Sequence, residues 1–195
     1  MEQPGQIKRV SKKEAIDRAA MELFAGQGFA GATIKDIARK AEVTEGALYR
    51  HYAGKEEMAA VLFERELDTI RQRLTESLAE GRTPYEKLRA VIAYLYTSYR
   101  DEPWPLLFVI LNFQNLQGDG VLDEKKHIYD YIIEYTRQLF DDLSGPRDHE
   151  FLSTIITGLV IQPIIFHHYQ KLPRHPAEYI DDICRACCLL IGLEP

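Results

Sequence analysis

The sequence predicts an all-α protein of about nine helices, and three observations support this prediction. Apolar residues recur at spacings of three and four along most of the chain, as they do on one face of a helix. Helix start signals precede several of these segments, such as the capping box Ser11 to Glu14 and the Thr83-Pro84 pair. No segment shows the alternation of apolar and polar residues that is typical of a half-buried strand.

The composition indicates a soluble protein of one or two domains. The chain of 195 residues shows no signal peptide, and polar residues interrupt its most apolar stretch, Phe151–Phe166. Three cysteines, at Cys184, Cys187 and Cys188, are too few and too clustered for a disulfide framework. We therefore expect a cytoplasmic protein that does not enter a membrane.

Charge is distributed unevenly between the two ends of the chain. The net charge is −6, but residues 1–60 carry ten basic against nine acidic side chains. Four of the basic groups lie in the first 13 residues, which predicts a basic arm over residues 1–10. A basic end on an acidic body allows a local attraction to nucleic acid while the body stays soluble.

Residues 11–55 have the pattern of three short helices. The first begins at Ser11 and is expected to end at Gly28, in a left-handed conformation. Thr33 is an N-cap for a second helix with apolar residues on one face, and Thr44 caps a third that runs from about Glu45 to His51. Two short helices crossing on a small apolar face are typical of a helix-turn-helix, whose second helix fits the DNA major groove.

The residue types on the exposed side of that second helix favour DNA binding over an ordinary helical hairpin. An exposed Tyr beside Arg and His suits a surface of phosphates and base edges. The glycine inside so short a helix costs up to about 1 kcal/mol relative to Ala, which a close backbone approach would explain. The side chains expected on this surface are Thr44, Glu45, Gly46, Tyr49, Arg50 and His51.

Six further helices are predicted after this unit. A long helix from Lys55 to about Ala79 connects the helix-turn-helix to the rest of the chain. The segment Leu106–Phe113 is apolar nearly all round and should be buried. The others begin at Thr83, near Ile128, at about Asp148 and at His175.

The helix at about Asp148–Gln170 is apolar on two sides, so it needs two surfaces to pack against. The rest of the chain supplies one, and a second copy of the chain is expected to supply the other. The predicted dimerisation residues are Ile155, Leu159, Gln162, Phe166, Tyr169, Ile183 and Cys187.

Residues Ile16–Met58 resemble the TetR (tetracycline-repressor-like) family of bacterial transcription regulators. The resemblance is carried by Ala19, Ala20, Leu23, Phe24, Gly28, Phe29, Thr33, Ile37, Ala38, Ala41, Val43, Gly46, Leu48, Tyr49, Tyr52, Lys55 and Glu56. It implies a DNA-binding domain over residues 1–54 and an effector-binding and dimerisation bundle over residues 55–195. One departure is Tyr52-Ala53-Gly54, where the family more often has Phe and then two polar or small residues.

By that resemblance the chain is a homodimeric repressor that a small apolar or aromatic effector releases from a palindromic operator. The resemblance assigns phosphate contacts to Thr33, Tyr49, His51 and Lys55. It leaves Thr44, Glu45, Gly46 and Arg50 as candidate readers of base edges. Glu45 either accepts from a cytosine amino group or stabilises the start of its helix.

The C-terminal part is rich in aromatic residues, which either pack in the core or line an effector pocket. The candidate pocket residues are Tyr96, Tyr99, Trp104, Phe108, Asn112, Tyr131, Gln162 and His167. The cysteine cluster with His167 and His168 allows a metal-site hypothesis, against the simpler interpretation of cysteine as a small core hydrophobe. No cofactor is expected.

We find no phosphate loop, nucleophile elbow or metalloprotease motif, so an enzyme is not predicted. The alternative to a regulator is a small-molecule-binding helical protein that retains the fold without operator binding. The exposed side chains at positions 49–51 favour the regulator.

Overall fold

A computed structural model describes residues 11–118, 120–122, 128–140 and 148–192, and these residues form an all-α fold without strands. The predicted fold class is confirmed. The helices are α1 (Lys12–Gly31), α2 (Ile34–Lys40), α3 (Glu45–Leu48), α4 (Lys55–Glu80), α5 (Pro84–Asp101), α6 (Pro103–Gly118), α7 (Ile128–Phe140), α8 (His149–His168) and α9 (Ile180–Ile191), with a 3₁₀ turn at Pro176–Tyr179. The predicted basic arm, residues 1–10, lies outside the described residues.

Side-chain caps fix the helix starts that the sequence predicts. Ser11 with Glu14 and Thr83 with Glu86 form complete capping boxes at α1 and α5. Near the end of α1, Gly28 has φ +75° and ψ 161°, a combination that is nearly restricted to glycine. The helix therefore breaks at the predicted residue, although one more turn follows before Gly31.

The first three helices enclose a small core around Phe24, Ile37 and Leu48, each of which is fully buried. The turn between α2 and α3 places Glu42 at φ 55°, and the Val43 N–H donates to the Ala38 carbonyl at 3.0 Å. Helix α3 is shorter than predicted, because regular helix ends at Leu48 and residues 49–51 form a turn.

Helix α6 holds the N-terminal helices against the rest of the chain. Phe108 on α6 is fully buried, with ring centroids 5.5 Å from Phe24 and 6.0 Å from Phe63. The hydrophobic core is continuous from α1 to α9 and crosses the boundary predicted between residues 54 and 55. A displacement of the N-terminal unit therefore has to repack aromatic side chains on α6.

We expect Gly28→Ala to lower the free energy of unfolding by about 1–3 kcal/mol, because φ +75° strains any residue with a Cβ atom. Gly26→Ala is the matched control, since a Cβ atom at Gly26 meets no atom within 4 Å and alanine favours the helix. Urea unfolding followed by circular dichroism measures both variants. Equal stability of the two would contradict the strained conformation at Gly28.

Candidate functional site

The surface around α3 presents polar and aromatic side chains to solvent. Tyr49 is 53% exposed, and Arg50 and His51 beside it are exposed as well. Within the part of the chain that the structure describes, these three side chains have no hydrogen-bond or ion-pair partner. Leu48, in contrast, is fully buried and anchors the helix. The turn that follows α3 thus carries donors that are available to a ligand.

Two of the predicted DNA-contacting threonines also act as helix caps. The Thr44 hydroxyl accepts from the Ala47 N–H at 3.2 Å. The Thr33 hydroxyl accepts from the Asp36 N–H at 3.1 Å and donates to the Asp36 carboxylate at 2.6 Å. Both residues are exposed, as are Glu45 and Gly46. Their first role is to orient α2 and α3.

The structure gives Lys55 a different role from the predicted phosphate contact. Its ammonium donates to the carbonyls of Phe29 at 3.0 Å and Ala32 at 3.2 Å. It also lies 4.4 Å from the centroid of the Phe29 ring. Lys55 therefore ties the start of α4 to the end of α1. The sequence alone could not identify these carbonyls as partners of Lys55, because they lie more than twenty residues away along the chain.

A buried carboxylate network, which the sequence analysis missed, connects α3 to α1 and α4. Asp17 on α1 is 4% exposed and accepts from the Tyr52 hydroxyl at 2.6 Å and the Lys13 ammonium at 3.0 Å. Arg65 on α4 donates to the same carboxylate at 2.5 Å. The only signal in the sequence was the tyrosine at position 52, whose hydroxyl reaches Asp17.

The network determines the charge state of its members. Burial alone raises the pKa of the Asp17 carboxyl, but hydrogen bonds from Tyr52, Arg65 and Lys13 outweigh it and hold that pKa below its ordinary 3.8. Burial and the hydrogen bond to Asp17 raise the pKa of Tyr52. Tyr52 therefore stays protonated and donates to an ionised carboxylate at neutral pH.

Most of the predicted effector residues belong to the core or to other contacts. Tyr96, Phe108 and Asn112 are buried; the Tyr96 hydroxyl donates to the Val160 carbonyl at 3.0 Å. Tyr99 pairs with His167 at 2.9 Å, whereas the Trp104 ring meets His168 edge-on. Gln162 is exposed on α8.

The described residues enclose an apolar cavity of about 120 Å³ between α4, α5, α6, α7 and α8. Of the predicted effector residues only Tyr131 lines it. Aliphatic side chains such as Leu74, Leu95 and Val160 form most of its wall, and the aromatic effector pocket stays a prediction. A second cavity of about 150 Å³ adjoins the first at Arg71, Leu74, Tyr131 and Tyr135.

A separate groove of about 300 Å³ lies between α4, α5 and the start of α6. Three carboxylates, from Glu66, Asp101 and Glu102, contribute to its wall. Its acidic wall distinguishes it from the apolar cavity, which is the better site for an apolar molecule.

The predicted dimer face of α8 is largely open in the single chain. Phe166 and Tyr169 are 48% and 55% exposed, while Ile155, Leu159 and, on α9, Ile183 are partly buried. Cys187 does not belong to this face, because it is fully buried inside the chain. Sequence analysis missed three other exposed apolar residues on α8 and α9: Phe151, Leu189 and Leu190.

By length and composition alone, α8 is the one helix among the described residues that could span a membrane; 22% of its most apolar 18-residue stretch is buried. A helix that packs on two sides has the same composition.

The cysteines are core residues in this structure. Cys184, Cys187 and Cys188 are all buried, and burial raises the pKa of the first two thiols to about 12. The residues that the structure describes contain no group of three or more His, Cys, Asp or Glu that could hold a metal ion. These observations favour the interpretation of the cysteines as small hydrophobes.

Comparison with known proteins agrees with the geometry. Residues 16–62 match the profile of the bacterial regulatory proteins of the tetR family. The predicted resemblance to the TetR family is confirmed over these residues. It is 29% identical over 130 residues to the HTH-type transcriptional regulator YerO of Bacillus subtilis, an alignment that covers 65% of this chain and 42% of YerO. The chain thus spans less than half the length of that relative.

Solved structures of bacterial regulators share the fold of this chain. The MbdR regulator from Azoarcus sp. CIB superposes with a TM-score of 0.75 at 19% identity, covering 95% of this chain and 100% of MbdR. The FadR regulator from Bacillus subtilis, solved in complex with stearoyl-CoA, gives a TM-score of 0.71 at 17% identity, covering 93% and 100%.

We expect Tyr52→Phe to lower the free energy of unfolding at pH 7 by about 1.5 kcal/mol, because it removes a buried hydrogen bond to a charged carboxylate. The lowered pKa of Asp17 stabilises the fold above the ordinary value of 3.8, and this stabilisation is lost as the pH falls through the folded-state pKa. The difference between wild type and variant should therefore shrink at acid pH.

Tyr49→Phe is the control, since the exposed Tyr49 hydroxyl has no partner among the described residues and its loss should change stability by less than about 0.5 kcal/mol. Urea titrations at pH 7 and in acid compare the three proteins. A pH-independent effect of Tyr52→Phe would contradict the role of the ionised carboxylate.

Proposed function

We propose that this chain is a dimeric transcription regulator of the TetR family that binds a palindromic operator and releases it when a small apolar molecule binds. One observation carries the proposal: Tyr49, Arg50 and His51 are exposed around a helix-turn-helix and have no partner among the described residues. Exposed donors beside the second helix of a helix-turn-helix suit a surface of phosphates and base edges.

Within this proposal the exposed side chains have separate roles. Tyr49 and His51 contact phosphates, which fixes the position of the protein on the duplex without reading sequence. Arg50 donates to a base edge, where a bidentate contact to guanine is the commonest specific interaction. Thr44, Glu45 and Gly46 lie at the start of the helix, where the backbone approaches the groove most closely. Thr33 supports a phosphate contact from the start of α2.

Two copies of the chain are needed to read a palindrome. Recognition helices reach successive major grooves when they lie about 34–36 Å apart. The exposed residues Phe166 and Tyr169 on α8, continued by Leu189 and Leu190 on α9, support pairing through these two helices. Burying such a face against its symmetry mate removes apolar area from water.

Helix α4 is the proposed connection between operator and effector. Arg65, near the middle of α4, donates to the Asp17 carboxylate in the proposed DNA-binding unit. The next two turns of α4 line the apolar cavity through Leu67, Ile70 and Leu74. A molecule that fills the cavity changes DNA affinity only by its differential affinity for the two positions of α4. The FadR relative solved with stearoyl-CoA supports an apolar effector. A regulator of this kind acts in the cytoplasm and has no catalytic step.

Selection of bound sequences from random duplex DNA, followed by sequencing, tests the proposal. An enriched palindrome would support a dimeric, sequence-specific regulator. No enrichment, with and without added apolar ligands, would instead favour the alternative that the chain binds small molecules and has lost operator binding.

We expect Arg50→Ala to weaken binding to the selected operator by about 1–3 kcal/mol and to relax specificity at one base pair. Tyr49→Ala should weaken binding to operator and random DNA alike, because phosphates carry no sequence information. Arg82→Ala is the charge-matched control, since Arg82 lies exposed between α4 and α5, outside the helix-turn-helix. Fluorescence anisotropy titrations measure all affinities. An Arg50→Ala variant that binds like the control would remove Arg50 from the interface.

We expect the wild-type protein to be a dimer at micromolar concentration and Phe166→Glu to be a monomer, because the substitution buries an unpaired charge in the proposed interface. Val61→Glu is the control, as Val61 is a similarly exposed apolar residue on α4, at 44%. Light scattering coupled to gel filtration gives the mass of each. A dimeric Phe166→Glu protein would place the interface elsewhere.

A further inference from the structure

Arg71 on α4 combines one ion pair with two buried nitrogens that lack a hydrogen-bond partner among the described residues. Its side chain is 19% exposed and forms one ion pair, from Nη1 to the Asp68 carboxylate at 2.9 Å. The Nε and Nη2 atoms are buried and have no hydrogen-bond partner among the residues that the structure describes. Buried donors of a charged group are nearly always satisfied, because leaving them unpaired costs the full penalty of removing them from water.

The two unpartnered nitrogens have a specific geometry. Nε and Nη2 point their hydrogens along the same edge of the planar guanidinium, and that edge matches the two oxygens of a carboxylate. Asp68 occupies only Nη1, on another edge. Glu134, a carboxylate in the wall of the adjoining cavity, accepts from Arg137 at 3.1 Å and Gln138 at 2.8 Å.

The surroundings of Arg71 join this polar edge to an apolar space. Arg71 lines both adjoining cavities, of about 120 and 150 Å³. The guanidinium carbon lies 3.5 Å from the centroid of the Tyr131 ring, so the aromatic face holds the charged plane in one orientation. Most of the other residues that line the cavity of about 120 Å³ are aliphatic, such as Leu74, Val109 and Ile132.

We propose that the cavity between α4 and α8 binds an apolar carboxylate, whose two oxygens accept from Nε and Nη2 of Arg71 and whose hydrocarbon part lies among the aliphatic side chains. This inference rests on the proposed function, because it names the chemical class of the effector of that regulator. An engineered apolar cavity of about 150 Å³ binds benzene, so the space beside Arg71 suits a compact acyl or aryl body.

Isothermal titration calorimetry with octanoate and 1-octanol tests the proposal on the full chain. These probes share an alkyl chain and differ in the carboxylate. We expect octanoate to bind at least about tenfold more tightly than 1-octanol, because two hydrogen bonds to a charged group are gained. Equal affinity, or no binding of octanoate, would overturn the proposal.

Arg71→Gln should weaken octanoate binding about 10- to 100-fold and leave the affinity for 1-octanol nearly unchanged. Arg71→Lys keeps the charge and loses the planar edge, so we expect a smaller but clear loss. Arg73→Gln is the matched control, since Arg73 lies on the same helix, is 57% exposed and pairs with Glu76. If Arg71→Gln does not fold, the wild-type probe pair and Arg71→Lys decide the question.

Octanoyl-CoA separates a carboxylate from a phosphate as the anionic group. Its acyl carbonyl is neutral, so binding that depends on Arg71 for octanoyl-CoA but not for octanoate would overturn the assignment of a carboxylate. DNA is absent from these titrations. A failure of operator selection with intact octanoate binding would therefore count against the proposed regulator alone, and the reverse result against the cavity alone.

Discussion

The arrangement of the N-terminal unit depends on one buried carboxylate. Asp17 is charged, almost fully buried and held by donors from three separate parts of the chain: Lys13, Tyr52 and Arg65. A buried charge that loses its partners is destabilising by several kcal/mol, so the three donors are constrained to stay in place. Since Tyr52 follows directly after the exposed residues 49–51, the same constraint fixes the proposed DNA-binding surface relative to α1 and α4.

Helix α4 carries this constraint into the rest of the molecule. Arg65 and Arg71 are six residues apart, which corresponds to about 9 Å along a helix axis. The first is tied to the DNA-binding unit and the second lines the apolar cavity. Because a helix with intact backbone hydrogen bonds moves as a unit, a displacement of α4 at the cavity also acts on Asp17. The packing of Phe108 against Phe24 and Phe63 opposes such movement.

The parts of this structure that could be predicted from sequence are those that local interactions decide. The caps at Ser11, Thr33 and Thr83 depend on residues three positions away, and their helices begin where expected. The exposure of Tyr49 followed from the helical period. The contacts of Lys55 could not be predicted because its carbonyl partners are distant in sequence, and the lining of the cavity could not be predicted because aromatic content does not distinguish a core from a cavity wall.

Arg71 shows that the kind of ligand a cavity suits depends on its unpaired polar atoms as well as on the side chains that line it. In the sequence it is one of several arginines on a charged helix face, and only the fold shows that two of its nitrogens are buried without a partner in the described part of the chain. Buried donors without a partner raise the free energy of the chain. In the proposal above, a ligand that accepts from these nitrogens lowers that free energy, and it shifts α4 only by its differential affinity for the two positions of the helix. In the proposed regulator, the change in DNA affinity on ligand binding is then limited by how differently the ligand contacts the Nε and Nη2 edge of Arg71 in the two positions of α4.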